Sequence, residues 1–155
     1  MVANRSFILG TLLARVFANP ITPVPEENEA AVLSARQAGS GVHLVNCGNS
    51  YSTVVYCIND SNCNFYPAKE NQCIMGISGL FKWEGVQGPV LKGCTFSTGV
   101  RFEWGISPLP NIPVYAEVGP GQNGFQTFKC FKDNKRTMYS DGLNQCKSIY
   151  YCLPR

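Results

Sequence analysis

The 155-residue chain has a single imidazole, His43, set in the run Val42-His43-Leu44-Val45-Asn46-Cys47. Histidine is the usual general acid–base group because its proton exchanges near neutral pH. Two carboxylates stand beside the two tryptophans, in Lys82-Trp83-Glu84 and Phe102-Glu103-Trp104. A carboxyl packed on an indole loses solvation, so its pKa rises and it can serve as an acid. A pair of such groups flanking a sugar is the machinery of glycoside hydrolysis. Catalysis, if present, would therefore rest on His43, Glu84 and Glu103. The plainer reading is a strand histidine among apolar neighbours and two carboxylates on a solvated sheet face. Alternation turns Glu103 away from Trp104, which favours the plainer reading. A cleft gathering His43 with Glu84, Glu103 or Glu117 would mark a hydrolase.

The eight cysteines offer a different chemistry. Cys47, Cys57, Cys63, Cys73, Cys94, Cys130, Cys146 and Cys152 are spaced C-x9-C-x5-C-x9-C-x20-C-x35-C-x15-C-x5-C. Structural zinc sites bring their ligands in close pairs, and thioredoxin-like sites use C-x2-C. Neither pattern occurs, so no metal and no cofactor is expected. An even count instead predicts four disulfides, with 105 possible connectivities that spacing alone leaves open. The short intervals Cys57 to Cys63 and Cys146 to Cys152 read as local staples.

Three surface features could bind rather than react. Lys129, Lys132, Lys135 and Arg136 surround an expected hairpin tip among Phe125, Phe128, Phe131 and Tyr139, a pattern suited to anionic ligands. Tyr51, Tyr56, Tyr66, Tyr150 and Tyr151 could supply a sugar-stacking surface, although tyrosine is also common in strands. Asn59-Asp60-Ser61 fits the N-glycosylation acceptor and falls in a polar loop, which places Asn59 at the surface.

The amino-terminal 46 residues contain no cysteine. Arg5, the apolar run Phe7 to Ala14 and the small-residue site Val16-Phe17-Ala18 have the layout of a secretory signal, residues 1–18. Residues 19–36, proline-rich and then acidic through Glu26-Glu27-Asn28-Glu29, end at Arg36 and read as a pro-segment. No apolar run approaches the ~20 residues of a membrane-spanning helix, so no anchor is expected. The body, residues 37–155, carries seven Lys, three Arg, three Asp and four Glu, a net charge of +3. That excess is too mild for a typical nucleic-acid binder.

Placing these residues requires strands. Residues 42–47 and 52–58 flank Gly48-Asn49-Ser50 as a hairpin. Residues 59–72 form a stapled loop, and 73–77 and 80–84 are short strand candidates. In 100–106, Val100, Phe102, Trp104 and Ile106 share one face. Residues 114–118 alternate again, and one allowed register sets Arg101 opposite Glu117. The chain closes as a meander through 125–131, 136–139 and 147–152. The expectation is a single all-β, disulfide-rich domain, an antiparallel β-sandwich or small barrel.

The segment Phe102-Glu103-Trp104, with Pro108 four residues further on, is similar to the Tyr-Glu-Trp-Pro segment of small fungal guanyl-specific ribonucleases. That likeness implies an RNase-like fold without catalysis, since a second histidine is missing. In layout the whole chain resembles fungal small secreted cysteine-rich proteins, the group that includes candidate effectors. This resemblance implies a secreted, extracellular interaction protein, effector or toxin-like. Its partner would be a host protein, a cell-wall glycan or an anionic surface. The alternative is a small secreted hydrolase or RNase-like protein.

Overall fold

A computed structural model describes residues 39–60, 63–86 and 90–155. The expected signal and pro-segment lie outside the described residues. Nine strands are described: β1 (Gly41–Cys47), β2 (Tyr51–Cys57), β3 (Gln72–Met75), β4 (Lys92–Thr95), β5 (Arg101–Trp104), β6 (Glu117–Gln122), β7 (Thr127–Lys132), β8 (Thr137–Ser140) and β9 (Gln145–Pro154). They form one antiparallel sheet in the order β3-β2-β1-β9-β7-β6-β5-β4, with β8 paired to β9 off this path. The only helical piece among the described residues is a 3-10 turn at Lys69–Asn71. Of the two expected architectures, the chain adopts the nearly closed barrel.

The sheet curls until its end strands β3 and β4 meet, but no ladder joins them. The Cys73–Cys94 disulfide bridges that seam, with its Cα atoms 6.1 Å apart. Cys47–Cys146 and Cys130–Cys152 instead join residues directly opposite one another, on β1–β9 and β7–β9. Cys57–Cys63 closes the loop after β2 as expected. The expected Cys146–Cys152 staple is corrected: both residues lie on β9, and six extended residues hold them roughly 20 Å apart.

Two cores share the wall made by β1, β2 and β9. The barrel interior holds Val42, Leu44, Val54, Trp83, Phe102, Trp104, Phe128 and Tyr150. The opposite face packs Val45, Cys47, Val55, Cys57 and Cys63 against Met138 and Tyr139 of β8. Burial on both faces explains why β1 reads as a nearly continuous apolar run rather than an alternation. His43 sits on the outer face of β1, where the loop after β2 and the β7–β8 connection cover it.

Three strand expectations need correction. Residues 80–84 form no strand; Glu84 and Gly85 make only isolated bridges to Ile106, which lets Trp83 turn into the barrel. β4 was not expected, because Lys92-Gly93-Cys94-Thr95 has no apolar alternation. The strand near 114–118 begins only at Glu117 and continues through Gly119-Pro120-Gly121. Gly119 has φ of 153°, and a Cβ there would lie 1.8 Å from the Gly105 carbonyl oxygen. Close approach of β6 to the end of β5 therefore demands glycine where strand propensity rejects it. The register moves with it: Glu103 faces Gln122, Arg101 pairs with Glu103, and Glu117 pairs with Lys129.

Candidate functional site

The most densely connected polar group surrounds His43. Its Nδ1 lies 2.9 Å from Ser148 Oγ on β9, and its Nε2 makes a very short hydrogen bond to Asp60 Oδ1. Asp133 Oδ2 stands 3.9 Å from Nδ1, and the Arg136 guanidinium lies 3.5 Å from Nε2 and 3.9 Å from both aspartates. Arg136 also donates to Asn64 Oδ1 at 3.1 Å. Burial pushes the His43 pKa down, against the opposing pull of Asp60. A neutral ring that donates from Nε2–H to Asp60 leaves Nδ1 as an acceptor for Ser148 Oγ, whose single proton also lies within reach of the Tyr150 carbonyl at 3.3 Å.

That is the hydrogen-bond order of a Ser-His-Asp triad. Its accessibility is not. Ser148 and His43 are 0 % exposed and Asp60 is 2 % exposed. Asp60, between Cys57 and Cys63, covers the ring from one side. Asp133 and Arg136 close it from the other. An acyl or phosphoryl substrate has no path to Ser148 Oγ in this conformation. The cluster ties the outer loops to the barrel wall.

The structure does not bring His43 to the other candidate carboxylates. Glu84 accepts a 2.6 Å hydrogen bond from the Tyr150 hydroxyl. Glu103 is held by Arg101 and Gln122 at 2.9 and 2.8 Å, and those hydrogen bonds, Arg101 first, lower its pKa. The glutamates next to tryptophan thus have separate environments, and neither stands in the apolar pocket that an acid would need.

The four basic residues also part company. Lys129 bonds Glu117 at 2.9 Å, Arg136 turns into the His43 cluster, and Lys135 stays exposed at the turn. Lys132 lies over the Tyr150 ring, 4.8 Å from its centroid. Tyr150 and Tyr151 are buried, so the five tyrosines do not form one stacking surface. Asn59 is exposed, as its sequon requires, although the following Asp60 is buried.

Two sets of metal-capable groups come together among the described residues, His43 with Cys57 and Cys63, and Asp141 with Cys47 and Cys146. All four sulfurs are consumed in disulfides, which removes the thiolates a metal would need.

Two surface regions remain that sequence reading did not assemble. At one end of the barrel, a hollow of about 300 Å³ is lined by Val42, Tyr56, Phe96, Phe102, Phe125 and Phe128. A second hollow of about 250 Å³ adjoins it, sharing Tyr56 and Asn71, and includes Ile58 and Phe65. Phe125 and Ile58 are 88 % and 75 % exposed. Asn123 Oδ1 accepts from the backbone N–H groups of Phe125 and Gln126, which fixes the turn that projects Phe125. At the other end of the strands, Lys82, Glu84, Lys132 and Tyr150 line a cleft of about 440 Å³. No sequence signal announces either region, because each gathers residues from distant elements.

No helix among the described residues is long and apolar enough to cross a membrane. Comparison with protein-family models, with curated proteins and with solved structures finds no match.

Proposed function

We propose that this protein is a secreted, disulfide-stabilised binding protein that acts outside its producing cell, as an effector or toxin-like factor. One observation carries the reading. Exposed Ile58, Phe65 and Phe125 stand at two adjoining hollows that share Tyr56 and Asn71, with Ile58 inside the Cys57–Cys63 staple and Phe125 on the turn between β6 and β7. Large apolar side chains held rigidly in solvent mark a recognition surface, since a rigid surface loses little entropy when it binds. The enclosure of the triad-like cluster supports binding rather than turnover. The layout resemblance to fungal small secreted cysteine-rich proteins supports the same direction. The partner is an extracellular protein, a wall glycan or an anionic surface.

The test uses the mature protein, taken from medium, against target-cell walls and extracellular extract, alongside assays for cleavage of RNA and polysaccharide. Specific binding that falls at least tenfold in Ile58→Asp and Phe125→Asp, with both variants folded, is the expected result. Turnover of either polymer by wild type, abolished in His43→Asn, would contradict the reading.

A further inference from the structure

The cleft at the Lys132 end of β7 differs in chemistry from the apolar end. Tyr150 donates to Glu84 Oε1 at 2.6 Å, and the Lys132 ammonium sits 3.4 Å from the same hydroxyl. Beneath them, Lys92 Nζ donates to the backbone carbonyls of Lys82 and Glu84 at 2.6 and 2.5 Å. Lys82 and Lys132 line the cleft with Glu84, and Lys92 is anchored on the Lys82 and Glu84 backbone, so three lysines share this region with one carboxylate. Among the described residues the ion pairs lie elsewhere, at Arg101–Glu103, Lys129–Glu117 and around Arg136, so no carboxylate pairs with Lys82 or Lys132. The Lys92 pKa is pushed down by burial, against the opposing pull of the Glu84 carboxylate, with the Lys82 charge a smaller addition. Three lysines against one glutamate leave the local charge positive.

The far wall is built to stay put. Pro108, Leu109, Pro110, Asn111 and Ile112 line it, and Pro113 follows. Asn111 and Tyr115 adopt left-handed backbone, with φ of 58° and 68°. Non-glycine residues in that region are uncommon, and they persist where surrounding structure holds them. Here the Tyr115 N–H donates to the Lys132 carbonyl at 2.8 Å, and Asn134 donates to the Tyr115 hydroxyl at 2.9 Å. The loop is thereby tied to the strand that carries Lys132.

From this geometry we infer that the cleft binds an acidic saccharide unit. Lys82 and Lys132 hold its carboxylate or sulfate, while Glu84 and Asn111 accept and donate hydrogen bonds to its hydroxyls. The volume suits a small ligand. An anionic group supplies the charge that the lysines lack. The carboxylate and the amide supply polar partners that a bare inorganic anion would leave unused. This inference deepens the binding reading and rests on it.

The experiment follows backbone amide shifts of isotopically labelled mature protein during titration with four probes. These are a uronate oligosaccharide, a sulfated oligosaccharide, a neutral oligosaccharide of equal length, and inorganic sulfate. Shifts at Lys132, Tyr150 and Asn111 with either acidic saccharide, weakening at higher salt, are expected; whichever binds names the anionic group. Lys82→Ala and Lys132→Met should each weaken that binding about tenfold. Lys82 is exposed, so its removal leaves the fold unharmed, and Lys129→Ala should change nothing. Equal binding of the neutral sugar or of sulfate alone, no shift at the cleft, or unchanged affinity in Lys82→Ala overturns the inference. If the cleft stays silent while Phe125→Asp still abolishes target binding, this inference alone fails. Cleavage of the saccharide would defeat the binding reading itself.

Discussion

Replacing Asp60 by alanine is expected to remove about 1.5–3 kcal/mol of folding stability, the usual worth of a buried hydrogen bond to a charged group. Asp60 is 2 % exposed and serves both His43 and Arg136, so its loss leaves the buried Nε2–H without its acceptor and leaves Arg136 to Asp133 and Asn64. A domain of this size has about 5–15 kcal/mol in total, so the variant should unfold at much lower denaturant. The double variant His43→Leu/Asp60→Leu should be milder than the sum of its parts, because it removes both polar partners at once. Chemical denaturation under non-reducing conditions reads both values. A loss below about 1 kcal/mol in Asp60→Ala would mean the cluster holds nothing.

The same cluster gives stability a pH dependence with a definite sign. The folded-state pKa of His43 lies below its ordinary value of 6.5. On acidification the unfolded chain takes up the proton first. The stability that a neutral His43 contributes is therefore complete above about pH 6.5. It is lost as pH falls, with a slope of up to about 1.4 kcal/mol per unit, until the folded pKa is passed. His43→Asn should lack this component.

The second large effect concerns the seam. Cys73→Ser/Cys94→Ser should cost about 3 kcal/mol through chain entropy, for a bridge of sequence separation 21. Cys130→Ser/Cys152→Ser has a separation of 22 and nearly the same entropic cost. The local consequences differ. β7 and β9 stay joined by their ladder without the sulfur, whereas β3 and β4 have none. Hydrogen exchange should therefore lose protection at β3 and β4 only in the first variant. Its freed edges should also promote concentration-dependent association, because each exposes unpaired backbone groups. Equal protection patterns in the two variants would show that Cys73–Cys94 is not the closure of the barrel.

What could be read from the chain follows from how local the signal was. Alternation in Val100-Arg101-Phe102-Glu103-Trp104-Gly105-Ile106 placed β5 and its inward face, since half-burial imposes period two. The β1–β2 hairpin was legible from its turn residues. β6 was not, because Glu117-Val118-Gly119-Pro120-Gly121-Gln122 owes its strand to close packing on Gly105 rather than to propensity. The cysteine count gave four bridges, but only Cys57–Cys63 is local enough to read from spacing. His43 stood out as the lone imidazole. Its partners did not: Ser148 is 105 residues away, and Asp60 looked like the middle of a sequon in a polar loop. Glu84 belongs to a possible site, but with Tyr150, 66 positions later, rather than with Glu103.

On the proposed binding reading, the residues most able to do chemistry build the scaffold and recognition lies on the surface. The most direct measurement exposes the native, disulfide-intact mature protein at neutral pH to a fluorophosphonate reagent, followed by intact-mass analysis. Such a reagent modifies a serine hydroxyl whose proton an adjacent imidazole accepts. An unchanged mass is expected, because Ser148 is fully enclosed. A single adduct mapped to Ser148, absent in His43→Asn, would contradict it and make the buried triad a working one.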